Sequence, residues 1–389
     1  MRKSALVLGP LVVAATAALT SAGMQKPAPS SDLIVHEWGT FTSVAGQDGR
    51  PVDWKPLNGP AELPCFVSAL GPNAFKGGIN ALRAPVRMET PVLYFYSPQV
   101  ATVQVGVSFP QGLVTEWFPA ARVNVQAGPP QPNGRITWAD VTLTPGARAH
   151  LPIDSSGSHY YAARETEASP VEVMGQQEKF LFYRGLGWFP VPVRATVDRR
   201  GAVTAETEPG KPIHTYVLFQ NRGGRIGYRI VRNAGATEKI EAPALDGTVD
   251  AVHADLETLL TYQGLYPAEA KAMVETWRDS WFEEGTRLFY LLPQPAVDRI
   301  LPLELTPTPA TVTRVFVGRV ELVKSPAVQT DVADAIARHD VEALSKYGRF
   351  LEPITAAQAH QPDVQAALRT LTPAPAPEQT VCAPKTVDR

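Results

Sequence analysis

The stretch that decides the fold is residues 248–293, which reads TVDAVHADLETLLTYQGLYPAEAKAMVETWRDSWFEEGTRLFYLLP. In its first half, apolar residues recur three and four positions apart, which places them on one face of an α-helix. Gly264 can adopt the left-handed conformation that ends a helix, and Pro267 suits the first turn of the next one. The pattern therefore predicts two consecutive helices.

The second predicted helix carries Trp277 and Trp281 on one stripe, and residues 287–292 have the apolar character of a buried strand. Each indole ring buries about 150–250 Å² of surface when it is covered. A stripe of this size must pack against a sheet or other helices. We expect the helical hairpin to dock on a β-rich body that lies on both sides of it in the sequence.

Short runs with strand character, separated by glycine and proline, predict this β-rich body within residues 33–247. The runs are 33–38, 86–96, 102–109, 113–118, 122–125, 135–143, 160–164, 179–184, 190–197, 203–207, 214–220 and 226–231. The predicted fold is α+β, with a mostly antiparallel β-sandwich-like body, an inserted helical hairpin with its following strand at 248–292, and a short helical C-terminal region. The 37 prolines argue against a mostly helical protein.

The chain after the hairpin predicts returning strands within 293–323, at 301–305 and 312–323, and helices within 324–372. Asp331 and Asp340 are candidate N-caps for the first two of these helices, and the third is expected to start near Pro362. Residues 373–389 form a proline- and alanine-rich tail, a composition that favours an extended chain.

The N-terminus has the pattern of a cleaved signal peptide over residues 1–22. Two basic residues precede an apolar run at 5–19, and small residues at 20–22 predict cleavage after Ala22. An uncleaved membrane anchor is the alternative. Residues 23–32 predict a disordered leader, and no later segment is long and apolar enough to span a bilayer. We therefore expect a soluble protein in the periplasm or outside the cell.

The net charge and the two cysteines bear on the expected partners and on a possible disulfide. A net charge of −2 and a pI near 6.4 provide no basic field, so nucleic acid is not an expected partner. Cys65 and Cys382 are the two cysteines, and they could pair in an oxidising compartment. The sequence leaves that pairing open because geometry decides it.

The opening VHEWGTFTS at residues 35–43 resembles a group of uncharacterised exported bacterial proteins that begin their mature domain in this way. The resemblance continues at METPV (88–92), at KFLFYRG (179–185) and in the block 277–293. It implies secretion and a shared fold. It brings no activity, cofactor or catalytic residue with it.

Standard catalytic and cofactor signatures are absent. Position 40 is Thr40, where an HExxH zinc motif starting at His36 would need a second histidine. The chain has no GxSxG elbow, no phosphate-binding loop and no dinucleotide fingerprint. These signatures therefore identify no cofactor or metal, and the sequence leaves the content of both open.

His36 and Glu37 are the first candidate site residues. Neighbours on a strand point to opposite faces, so both can serve one site only if a bulge intervenes, and Gly39 could mark such a bulge. His36 is either a hydrogen-bonded core histidine or a ligand or general base.

Arginines within the β-rich runs are the second group of candidates, and they are Arg87, Arg164 and Arg184. Arg87 and Glu89 lie two residues apart, so they share a strand face and can form an ion pair. An arginine drawn into a sheet needs a carboxylate, and Glu37, Glu89 or Glu165 are the simplest partners. The alternative is that some of these arginines converge on a small anionic ligand such as a carboxylate or sugar acid.

Two further groups allow a ligand. His159 stands beside Tyr160 and Tyr161, which either line a carbohydrate platform or pack in the core. Glu275 and Asp279, one helical turn apart, could hold a calcium ion or belong to a solvated helix face.

These observations favour an exported protein with a binding or structural role. The alternative is an extracytoplasmic hydrolase that acts on polysaccharide or peptide through paired carboxylates or a histidine-held metal. A cleft that gathers His36, Glu89 and His159 would favour the enzyme. Burial of these residues in separate places would favour binding.

Overall fold

The computed structural model describes residues 30–58, 62–71, 78–126, 128, 131–208, 211–371, 382 and 384–388. The fold is α+β and is built mostly from antiparallel sheets, which confirms the predicted class. The predicted signal peptide with its cleavage point, residues 23–29 of the predicted leader and most of the predicted tail lie outside the described residues.

The strands and helices are numbered in chain order. The strands are β1 (Ser30–Val44), β2 (Ser68–Ala69), β3 (Val86–Tyr96), β4 (Ala101–Phe109), β5 (Gly112–Phe118), β6 (Arg122–Gln126), β7 (Asn133–Leu143), β8 (His150–Ile153), β9 (Val171–Val173), β10 (Gln176–Glu178), β11 (Leu181–Gly187), β12 (Val193–Val197), β13 (Val203–Thr207), β14 (Thr215–Arg222), β15 (Arg225–Arg232), β16 (Thr237–Ile240), β17 (Gly285–Leu292), β18 (Leu303–Thr306), β19 (Pro309–Glu321) and β20 (Lys385–Asp388). The α-helices are α1 (Val249–Tyr262), α2 (Pro267–Thr276), α3 (Arg278–Trp281), α4 (Gln294–Ile300), α5 (Pro326–Ala337), α6 (Val341–Ser345), α7 (Leu351–Thr355) and α8 (Pro362–Leu371). Short 3-10 helices span Ile79–Ala81, His159–Arg164, Gly348–Phe350 and Ala356–Gln358.

A nine-stranded sheet in the order β15-β14-β17-β19-β1-β3-β11-β5-β2 forms the centre of the fold. In this sheet β1 and β19 are parallel, and the other neighbouring pairs are antiparallel. A second sheet has the order β10-β9-β7-β4-β18, with β6 paired to β7. Strands β12, β13 and β16 form a third sheet, and β8 pairs with β20.

The main apolar core lies between the nine-stranded sheet and the second and third sheets. Val35 and Phe41 of β1 contribute to it together with Val105 of β4, Trp138 of β7 and Val203 of β13. Successive side chains of a strand point to opposite faces, so the alternate residues of β1 are left for the other face. That other face is covered by helices and is called the helical face below.

The helical hairpin docks on the helical face, as its apolar stripe predicts. Trp277 is 4% exposed and Trp281 is fully buried, with their rings stacked at 6.4 Å between centroids. Gly264 ends α1 with a φ of 111°, which is the left-handed conformation expected there. Thr248 caps the start of α1 by accepting a hydrogen bond from the Ala251 N–H.

Several predicted elements are corrected by the structure. Residues 160–164 were expected to be a strand, but they belong to a 3-10 helix because the Ser158 hydroxyl accepts from the Tyr160 N–H and starts a turn. The region 293–323 contains α4 before its strands, since Pro295 suits the first turn of a helix. Strand β1 begins at Ser30, paired with Pro309, so the predicted disordered leader is three residues too long at its end.

The C-terminal region is helical as predicted, but the first cap differs, and the single helix expected from Asp340 to Leu351 is divided into α6, a 3-10 helix and α7. α5 begins at Pro326 with Ser325 as N-cap, whereas the Asp331 carboxylate pairs with Arg222 at 2.7 and 2.8 Å. Asp340 caps α6 by accepting from the Ala343 N–H, as predicted. The helix predicted near Pro362 is α8.

A disulfide joins Cys65 to Cys382, whose Cα atoms are 5.6 Å apart. It closes the chain over a separation of 317 residues and brings β20 to its partner β8. Within the described part of the chain, the helices are all too short or too polar to cross a bilayer.

Candidate functional site

A band of polar residues crosses the helical face of the nine-stranded sheet between two apolar clusters. Trp38 and Val317 belong to the cluster beneath α1, α2 and α3, whereas Val44 and Val323 belong to the cluster beneath the C-terminal helices. Between them on the same face, the buried positions are Thr40, Thr42, Arg319 and Glu321. This polar band is therefore enclosed by the two helical covers and the sheet.

One part of the band is an arginine cluster, which consists of Arg87, Arg184 and Arg349 with the carboxylates of Glu62 and Glu89. Arg87 Nε lies 3.4 Å from Glu89 Oε1, the ion pair that their spacing predicts, and Arg349 Nη1 lies 3.3 Å from the same oxygen. Glu62 Oε2 lies 3.6 Å from Arg87 Nη2 and 3.4 Å from Arg184 Nη1, while Glu62 Oε1 pairs with Arg349. Three guanidinium groups thus share two carboxylates as ion-pair partners, and the Glu116 carboxylate is a third negative charge near Arg184.

The Arg184 guanidinium occupies an aromatic setting. It lies 5.8 Å from the ring centroids of both Phe182 and Trp277. Burial, together with the charge of the neighbouring Arg87, lowers the pKa of Arg184 to about 10. Glu116, opposite Arg184 in the ladder, offsets this effect only in part. The charged form of Arg184 is thus under-compensated, and an added anion would stabilise it.

The backbone beside the cluster is strained. Thr90 has a φ of 44°, in the left-handed region that β-branched residues rarely adopt. Its hydroxyl accepts a hydrogen bond from Arg184 Nε at 3.2 Å. The Thr42 hydroxyl donates to Glu89 Oε2 at 2.5 Å and holds that carboxylate in the sheet. Strain of this kind costs about 1–3 kcal/mol and concentrates at functional sites.

The other part of the band is a balanced network of two arginines and two glutamates. Arg319 donates to Glu321 at 2.6 Å and to Glu283 at 2.7 Å, and Arg287 Nε lies 3.0 Å from Glu321. The Arg287 Nη atoms donate to the carbonyls of Trp281, Glu283 and Glu284, which close the chain after α3. Burial raises the pKa of Glu283 to about 7 against the opposing effect of both arginines.

Glu37 lies on the opposite face of β1 from His36, as the strand period predicts, and the register shift falls after them, between Trp38 and Thr40. Its carboxylate accepts from Arg314 Nε and from the Tyr183 hydroxyl, each at 2.5 Å. Burial and the charge of Glu37 raise the pKa of Tyr183. Glu37 is thus a core ion-pair partner, not a residue of the helical face.

His36 lies in a third network at the start of α2. Its Nδ1 is 2.7 Å from Glu269 Oε2, and the same carboxylate accepts from the Tyr96 hydroxyl and the Tyr266 N–H, each at 2.7 Å. These bonds join β1 and β3 to α2, which fits a hydrogen-bonded core histidine. A cavity of about 400 Å³ opens beside Tyr96 and is also lined by Lys179.

The remaining predicted residues lie elsewhere. Arg164 pairs with Glu178 at 2.6 Å and not with Glu165, because the 3-10 helix that carries Arg164 packs against the end of β10. His159 lies 2.5 Å from Asp279 at the protein surface. Glu275 pairs with Arg278, which agrees with a solvated helix face.

His36, Glu89 and His159 therefore hold three separate sets of partners, and no cleft gathers them. Among the described residues, no group of three or more histidine, cysteine, aspartate or glutamate side chains is arranged to hold a metal ion. The geometry that would favour a hydrolase is not formed by these residues.

A larger groove of about 610 Å³ lies beside α4 and is bordered by five prolines. Its lining residues are Pro190, Pro192, Glu208, Lys211, Pro212, Ile213, His214, Pro293, Pro295, Ala296, Arg299 and Ile300. Its mostly apolar walls contrast with the arginine cluster, which is the place where predicted site residues converge.

The sequence identified Arg87, Glu89 and Arg184 but missed Glu62 and Arg349. Glu62 lies in an irregular loop and Arg349 in a 3-10 helix near the C-terminus, so neither belongs to a pattern that local periodicity reveals. The Arg319-x-Glu321 pair repeats the spacing of Arg87-x-Glu89 on another strand, and this signal would have found the balanced network.

Comparison with known protein families and curated proteins identifies no relative of this chain. No protein-family model matches the chain, and no curated protein is significantly similar to it.

Proposed function

We propose that the protein is exported and binds a small anion at the arginine cluster. The observation that carries this proposal is the convergence of Arg87, Arg184 and Arg349 on only two carboxylates, one of which is partly exposed. Guanidinium groups in a fixed arrangement are suited to planar anions, because they donate several hydrogen bonds in defined directions.

Export is supported by two independent features. The basic, apolar and small-residue order of residues 1–22 is typical of a signal peptide. The disulfide between Cys65 and Cys382 is the kind of bond that persists in oxidising compartments.

Binding is favoured over hydrolysis by the distribution of candidate catalytic groups. His36 is engaged with Glu269, and His159 pairs with Asp279 at the surface, so neither faces the arginine cluster. The two carboxylates of the cluster, Glu62 and Glu89, are both engaged by its arginines, so they do not form a free acid–base pair of the kind that hydrolases use.

Calorimetric titration of the mature protein with glutarate, D-galacturonate and inorganic phosphate at low ionic strength tests the proposal. We expect binding of at least one anion, loss of that binding in Arg184→Met, and no change in Arg299→Met. Arg299 is a matched control because it is exposed and has no ion-pair partner among the described residues. Absence of binding by the wild type and by variants with Glu62 removed, or equal binding by Arg184→Met, would contradict the proposal.

A further inference from the structure

Glu62 differs from the other carboxylate of the arginine cluster in its exposure and support. Glu89 lies in β3, its side chain is 4% exposed, and a threonine hydroxyl holds it at 2.5 Å. Glu62 lies in an irregular loop, and its side chain is 28% exposed. Glu62 therefore has access to solvent, whereas Glu89 is part of the sheet.

The contacts of Glu62 with two of the arginines are loose. Its Oε2 lies 3.4 Å from Arg184 and 3.6 Å from Arg87, compared with about 2.7–2.9 Å for a well-formed charge-assisted hydrogen bond. The main chain at Glu62 is held in place, because the Glu62 carbonyl accepts a hydrogen bond from the Ser158 hydroxyl at 2.5 Å. A carboxylate that is not tethered to this loop could approach both guanidinium groups more closely.

The loop is also fixed immediately after Glu62. Cys65 forms the disulfide to Cys382, and its N–H donates to Asp154 Oδ2 at 2.7 Å. The Glu62 side chain can leave the cluster by rotation about its own bonds while the main chain on the Cys65 side stays in place.

Resting on the proposed function, we infer that the ligand is a carboxylate and that Glu62 occupies the position its carboxylate takes. The two Glu62 oxygens divide between Arg349 on one side and Arg87 with Arg184 on the other, which is a two-oxygen site. When the Glu62 side chain is withdrawn, the three arginines keep Glu89 as an ion-pair partner, and an incoming carboxylate can make the contacts that the two Glu62 oxygens make. Glu89 Oε1, within 3.4 Å of both Arg87 and Arg349, would repel the further oxygens of a tetrahedral anion.

The test measures the affinity for glutarate and for inorganic phosphate in Glu62→Gln and Glu62→Ala. Loss of an internal competitor should raise the affinity for glutarate by about tenfold or more, because the apparent affinity is reduced by the fraction of sites that the competitor fills. Phosphate should gain less. Glu352→Gln is the matched control, since its side chain is 29% exposed and pairs with Arg83 and Lys55, not with an arginine of the cluster.

The outcomes separate the two proposals. Weaker or unchanged glutarate binding in both folded Glu62 variants, with binding still lost in Arg184→Met, makes Glu62 a positioning residue and overturns this inference alone. An equal gain for phosphate overturns the carboxylate class. Absence of binding in the wild type and in both Glu62 variants overturns the proposed function as well. Far-UV circular dichroism verifies that each variant is folded. If Glu62→Gln does not fold, the affinities of Glu62→Ala decide between the outcomes.

Discussion

Replacement of Trp277 by alanine should lower the free energy of unfolding by about 3 kcal/mol. The indole is 4% exposed, so about 150–250 Å² of apolar surface loses its cover at about 25 cal/mol per Å². This area alone corresponds to about 4–6 kcal/mol, but the indole Nε1 is buried without a hydrogen-bond partner among the described residues. Removing that unsatisfied donor recovers about 1–3 kcal/mol and brings the expected loss to the lower end of the range for tryptophan.

Urea unfolding followed by circular dichroism, with the disulfide intact, measures this loss. Trp277→Phe should lose less than the alanine variant, because it keeps an aromatic ring beside Trp281 and Arg184 while it removes the indole N–H. Tyr262→Ala is the surface control, since Tyr262 is 86% exposed, and it should stay within about 0.5 kcal/mol of the wild type. A loss below about 1 kcal/mol in Trp277→Ala would refute the docking of the hairpin on the sheet.

Three further predictions concern the covalent and ionic features. Native unreduced protein should show no free thiol, and replacing Cys65 and Cys382 by serine should reduce stability by up to about 5 kcal/mol, as measured by urea unfolding. The pKa of Glu283 is raised to about 7, so the folded state keeps a proton that the unfolded state loses near pH 4.3. Its contribution to stability is therefore full below pH 4.3 and is lost as the pH rises to 7, and Glu283→Gln should flatten the decline of wild-type stability between pH 5 and pH 8. Mass spectrometry of the exported protein should find residues 1–22 removed, and an intact N-terminus would contradict the predicted cleavage after Ala22.

The helical hairpin was predictable because its signals are local. Three-and-four spacing, Gly264 and Pro267 are all contained within the segment that they shape. The break between α2 and α3 at Trp277 was not predictable, since the tryptophan stripe continues through it. The carbonyls after α3 are held by Arg287, which reaches them from β17, so the end of the helix depends on a side chain beyond the local pattern.

The parallel pairing of β1 with β19 was equally beyond the sequence. Residues 35–44 of β1 and 314–321 of β19 are buried on both faces of the sheet. Nothing in either strand specifies a partner about 280 residues away. The candidate site depends on this pairing, because it places Thr42 beside Arg319 and joins the two parts of the polar band. Individual arginines could therefore be suspected from the sequence, whereas their convergence required the topology.

The two parts of the polar band differ in a way that bears on function. Replacing a balanced buried ion-pair network by apolar residues is often neutral or stabilising, so such a network is weak evidence for stability. The Arg319 network has a structural role nevertheless, because Arg287 and Arg319 fix the chain that follows α3. The arginine cluster also holds main chain, since Arg87 Nη1 donates to the Pro56 carbonyl at 2.9 Å, but the Arg184 guanidinium has no such contact with a backbone carbonyl among the described residues.

Its buried guanidinium groups and the strained Thr90 cost folding free energy at one place, and the contacts of Glu62 with Arg87 and Arg184 are long. An ion pair present only for stability would be expected to have matched charges and short contacts. Arg319 with Glu321 meets that expectation at 2.6 Å, whereas Arg184 with Glu62 does not at 3.4 Å. The contrast within one band of the same sheet is the physical reason to look for the ligand at Arg184 and not at Arg319.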